Sequence, residues 1–141
     1  MGRIVAVDYG RKRCGIAVTD PAGIIASPLT TVRTHDIESF LIDYDKKETI
    51  NEFVVGYPRQ INNKPSETAR EIDPFIARLK KIFPAKPISL IDERFSSKSA
   101  MQTMIEGGVK KMKRQDKALV DKISASIILQ VYMETIANKK Q

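Results

Sequence analysis

The sequence has no tryptophan, one histidine, one cysteine and no long apolar run, and each scarcity removes a class of function. Cys14 has no partner for an internal disulfide, and no Cys/His spacing resembles a zinc site, so a reducing compartment is expected. The apolar stretch Ile4 to Val7 is too short for a signal peptide or a bilayer span, which predicts a cytoplasmic chain with no membrane partner. Aromatic residues make up only 6%, leaving little material for a base-stacking platform. The lone His35 is expected to be a surface bystander, and Cys14, beside an apolar strand, to be core rather than nucleophile.

What is present is the balance of an ordinary globular protein: 141 residues, 42% hydrophobic and 29% charged, expected to form one domain over residues 1–141. Lys and Arg number 24 against 17 Asp and Glu, a net charge of +7 that favours a polyanionic partner through counterion release. Many soluble domains are simply basic, so the distribution matters more than the sum. Arg11, Lys12 and Arg13 crowd one turn, and Lys110, Lys111, Lys113, Arg114 and Lys117 crowd another segment. Together with Arg94 these are the candidate nucleic-acid contacts, excepting Lys117.

Residues 3–8 are apolar and β-branched up to a final carboxylate, the pattern of a strand buried on both faces, with Ile4, Ala6 and Asp8 on one side. Further strands are expected at Gly15 to Thr19 and Ile24 to Thr31, and the short links predict an antiparallel meander. Ile37, Phe40, Leu41 and Tyr44 then follow helical spacing, with an entry near Thr34 to Asp36. A strand at Glu52 to Gly56 precedes a helix bearing Ala69, Ile72, Ile76, Leu79 and Phe83, which Pro74 either kinks or starts. Pro87 to Ile91 reads as a fifth strand, Ser96 or Ser97 as the cap of a helix reaching Gly107-Gly108, residues 109–117 as a loop, and Asp116 as the cap of a final helix to about Ile136. The order β-β-β-α-β-α-β-α-α predicts an α/β layered domain with a mixed sheet.

Three acids stand out against this framework. Asp8 closes a buried strand, where a carboxylate needs a cation or hydrogen-bond donors; capping the Gly10 to Lys12 turn is the other reading. Glu93 follows the fifth strand, at the strand ends where α/β sheets gather ligands, although a surface ion pair is also open to it. Asp121 shares a line with Ser124, Ala125, Ile128 and Tyr132, so a helix packed through those residues would carry it toward the sheet, unless it is an exposed first-turn acid. Three carboxylates in a basic, histidine-poor chain suit a hard cation, one or two Mg²⁺ or Mn²⁺ ions, and metal-assisted phosphodiester cleavage.

Residues 8–20, Asp-Tyr-Gly-Arg-Lys-Arg-Cys-Gly-Ile-Ala-Val-Thr-Asp, resemble the opening motif of the YqgF/RuvX family of ribonuclease H-like proteins. Val54-Val55-Gly56-Tyr57-Pro58, Asp92-Glu93-Arg94-Phe95-Ser96-Ser97, and Asp121 with Ser124-Ala125 and Ile128-Leu129 match later blocks in order. The resemblance implies a mixed five-stranded sheet in the order 3-2-1-4-5 and a nuclease with Asp8, Glu93 and Asp121 as catalytic and metal-binding acids. It implies either maturation of the 5′ end of the 16S ribosomal RNA precursor or resolution of Holliday junctions, with rRNA precursor or branched DNA as partner. Because no apolar patch can be assigned to an interface, a monomer or weak homodimer is expected. Two departures stand out: Asn62-Asn63-Lys64-Pro65 replaces the family's usual Asn/Asp-Gly turn, and the second acid follows the fifth strand, whereas in the wider ribonuclease H group it follows the fourth.

Two rival readings remain at this level. The Asp-x-Gly turn between strands also opens actin-like and sugar-kinase ATPases, which close two such domains around a nucleotide where this chain supplies one. A nucleic-acid-binding ribosome-assembly factor without catalysis would use the same basic segments.

Overall fold

In the computed structural model the described residues are 2–57, 67–92 and 117–139. Strands β1 (Arg3–Asp8), β2 (Arg13–Thr19) and β3 (Ala26–Arg33) form the antiparallel meander. A 3-10 turn at Thr34–Asp36 leads into α1 (Ile37–Lys47), followed by β4 (Ile50–Tyr57), α2 (Glu67–Ile82), β5 (Ile88–Asp92) and α3 (Lys117–Lys139). The strands β4 and β5 add in parallel, giving one five-stranded sheet of order β3-β2-β1-β4-β5, as expected. The helix expected over 96–108, residues 109–116 of the expected loop 109–117, and the Asn62-Asn63-Lys64-Pro65 stretch lie outside the described residues, while Lys117 is the first residue of α3 and not the end of a loop.

Strand alternation divides the core. Val5, Val7, Cys14, Ile16, Val18, Phe53 and Val55 point to one face, where α1 supplies Ile37 and Leu41 and α2 supplies Ile72, Phe75, Ile76 and Leu79. The other face is built of small side chains, Ala6, Ala17 and Val54, and receives Ala125, Ile128 and Leu129 of α3. Small residues there let one helix lie close across the sheet, touching all five strands.

Several boundaries differ from the sequence reading for identifiable reasons. The strand β3 starts at Ala26, because the Asp20 carboxylate accepts hydrogen bonds from the Ile24 and Ile25 amides (2.7 and 2.8 Å) and holds both residues in a turn with Gly23 at φ 72°. Ile24 and Ile25 are consequently exposed. The strand β2 starts at Arg13, which pairs with Arg33 of β3, so the basic triplet is only partly a turn. Pro74 neither starts nor ends α2; it sits exposed inside the helix, whose opposite face is anchored by Ile72, Phe75, Ile76 and Leu79.

One polar fixture ties α1 to the sheet. Asp45 accepts the buried Ile50 amide at 2.8 Å and the Lys86 ammonium at 2.9 Å, and Lys86 also donates to the Ile50 carbonyl. Partial burial pushes the Asp45 carboxyl up, but the Ile50 amide and Lys86 outweigh it and leave the pKa below the ordinary 3.8. Its stabilisation is therefore present above the unfolded-chain value and lost as pH falls through the lowered one. Asp45→Ala is expected to cost about 1–2 kcal/mol at pH 7, the penalty of an unsatisfied buried amide, and less near pH 3; denaturant melts at both pH values check it.

Candidate metal and nucleic-acid site

The carboxyl end of β1 brings the first acid to the helix-covered face. Asp8 pairs in register with Gly15 of β2, and Gly15 is where α3 makes its closest approach. A Cβ at position 15 would lie 2.7 Å from the Lys122 nitrogen and closer still to the Asp121 carbonyl, so only glycine admits the helix backbone here. Because Gly15 neighbours Asp8 across the ladder and Asp121 across the layer, the two acids arrive at the same end of the sheet. The line Ser124, Ala125 and Ile128 faces inward as its spacing predicts, and the half-buried Tyr132 donates its hydroxyl to Glu52 at 2.6 Å.

Arg13 lies on the same face as Gly15, two residues earlier in β2, and its Nε is 2.6 Å from Asp121 Oδ2. Both side chains are partly buried, 33% and 26% exposed, so this is a tighter pair than a surface bridge. Arg11, in contrast, reaches the other way to Glu71 of α2 at 2.6 Å, and Lys12 is exposed. The turn that carries these cations is pinned: the Thr34 hydroxyl donates to the Gly10 carbonyl at 2.6 Å, and the Thr34 amide donates to the Lys12 carbonyl at 3.1 Å. A concavity of about 290 Å³ opens between Gly10, Arg11, Lys12, Arg13 and Asp121.

Asp8 and Asp121 thus converge, and Arg11, Lys12 and Arg13 rim the concavity beside them. Glu93, Arg94, Lys110, Lys111, Lys113 and Arg114 lie outside the described residues. Among the described residues no three acids, histidines or cysteines form a metal cluster. The two acids present nevertheless fit a hard cation, being oxygen donors brought to one strand end beside a rim able to meet phosphate. Ser124 Oγ is buried without a hydrogen-bond partner among the described residues, one helical turn from Asp121. His35 is exposed and pairs with Asp36, and Cys14 is fully buried, where desolvation pushes its thiol pKa up. Neither is placed for chemistry.

The sequence reading missed Gly15, Thr34 and Glu71. A glycine inside an apolar strand signals close backbone approach and could have revealed Gly15. No local pattern marks Thr34 or Glu71, which act through contacts distant in sequence.

The RuvX family model, described as Holliday junction resolvase, matches residues 2–135. A relative from Bacteroides fragilis, named "Putative pre-16S rRNA nuclease", is 54% identical over 135 residues, covering 96% of this chain and 98% of its own. One of the same name from Christiangramia forsetii is 51% identical over 133 residues, covering 94% and 98%. Among solved structures, Thermus thermophilus RuvC superposes with a TM-score of 0.54 at 16% identity, covering 96% of each chain, which supports the fold. The sheet order, the ordered motif blocks and similarity along nearly the whole length agree, and the chain belongs to the RuvX family.

Proposed function

We propose that residues 1–141 form a metal-dependent endonuclease that processes the 5′ end of the 16S ribosomal RNA precursor in the cytoplasm. The observation that carries this reading is the seating of α3 on Gly15, which delivers Asp121 to the strand end occupied by Asp8. The relatives named as pre-16S rRNA nucleases supply the substrate class. Asp8 and Asp121, with Glu93, would hold one or two Mg²⁺ or Mn²⁺ ions, which supply water activation and stabilisation of the leaving oxygen. Arg11, Lys12, Arg13 and Arg94, with Lys110, Lys111, Lys113 and Arg114, hold the phosphate backbone and orient the strand. Scarce aromatics leave recognition to backbone and shape.

Resolution of Holliday junctions is the second reading, favoured by the description of the matching family. Paired nicks across a junction require two sites and hence a symmetric dimer. Cleavage of a 5′-extended 16S precursor and of a four-way DNA junction, each with Mg²⁺, Mn²⁺ or chelator, separates the readings. The expected result is metal-dependent shortening of the precursor 5′ end by a monomer or weak homodimer. Paired nicks confined to the junction would transfer the assignment to recombination, and tight binding of both substrates with no cleavage would leave a ribosome-assembly factor.

A further inference from the structure

Arg13 is the member of the basic triplet whose guanidinium is turned onto a proposed metal-binding acid rather than toward α2 or solvent. Its backbone is fixed, since it pairs with Arg33 inside the sheet, and the Asp121 backbone is fixed, since it rests on Gly15. Only the two side chains can rearrange, and the concavity that both line gives them room. The bonded oxygen, Asp121 Oδ2, belongs to the carboxylate that a divalent ion would use.

We propose that Arg13 is a built-in counter-ion which competes with divalent cations for Asp121, and so sets the metal affinity of the site and couples it to substrate. With no metal bound, the guanidinium neutralises one of two converging carboxylates. When a divalent ion takes the Asp121 carboxylate, Arg13 gives up its bond and turns to a substrate phosphate, for which its planar fork is suited. The site then favours metal and nucleic acid arriving together, because the phosphate compensates the arginine that the metal displaces. This inference rests on the reading of Asp121 as a metal ligand, and it concerns regulation of the site rather than the identity of the substrate.

The test is calorimetric titration of the metal-free full chain with Mn²⁺, without nucleic acid. Arg13→Gln is expected to bind Mn²⁺ about fivefold more tightly than the parent, the factor expected for loss of a competing ion pair. Arg13→Lys, which keeps the charge but loses the fork, is expected to tighten binding about twofold and serves if the glutamine variant fails to fold. In an Asp121→Asn background the Arg13 substitution should leave Mn²⁺ affinity unchanged. With Mn²⁺ present, Arg13→Gln should also lower the salt slope of precursor-RNA binding by about one. Unchanged or weaker Mn²⁺ affinity in folded Arg13→Gln and Arg13→Lys overturns the proposal. A parent that cleaves no nucleic acid while Arg13→Gln binds Mn²⁺ more tightly would sink the nuclease reading and leave this one standing.

Discussion

Gly15→Val is expected to cost about 3 kcal/mol of folding stability and to reduce cleavage by the folded fraction about a hundredfold. The added atoms meet the backbone of Asp121 and Lys122, not the end of a flexible side chain, so the obstruction is relieved only if α3 lifts or β2 bends. Lifting α3 breaks its packing on Ala6, Ala17 and Val54, which is the stability cost. It also moves Asp121 away from Asp8, and a displacement near 1 Å in such a site is enough for about a hundredfold in rate. Gly15→Ala should show the same pattern with smaller amplitude. Denaturant melts give the first effect, and single-turnover cleavage with Mn²⁺ titration gives the second; a Gly15→Ala variant with parental stability and rate would show that the close seating is not required.

Asp8→Asn is expected to abolish metal-dependent cleavage, a loss beyond the 10–100-fold typical of changes in residues that merely support metal ligands. Asparagine keeps the shape and one oxygen donor but removes the charge that an Mg²⁺ or Mn²⁺ ion needs. Without metal, the near-isosteric variant, whose partner acid Asp121 is already paired with Arg13, should melt close to the parent. The parent alone should then gain stability from added Mn²⁺. Full cleavage by Asp8→Asn, or equal stabilisation of both proteins by Mn²⁺, would remove Asp8 from the catalytic set.

Much of the framework was legible because it depends on local periodicity. Short, nearly continuous apolar runs located all five strands, and helical spacing located α1, α2 and the inward line of α3 from Ser124 to Tyr132. The misplaced start of β3 came from a side chain competing for backbone donors: the Asp20 carboxylate captures Ile24 and Ile25, apolar residues that otherwise resemble the strand. Pro74 could not be resolved locally, because the α2 residues packed on the sheet hold the helix through the missing backbone donor. At the site, spacing alone directed Asp121 toward the sheet, yet its bond to Arg13 joins residues 108 positions apart and leaves no trace in either neighbourhood. The same distance explains why Arg11, Lys12 and Arg13 read as three equivalent cations, although one faces Glu71, one faces solvent and one faces Asp121.

The helix that crosses all five strands follows every one of them in the sequence. Every residue of the sheet leaves the ribosome before it, so a nascent or prematurely terminated product carries Asp8 with no counterpart opposite. On the proposed reading such products cannot cut RNA, and synthesis of α3 is the step that arms the enzyme, a safeguard for a nuclease whose substrate belongs to the machine that makes it.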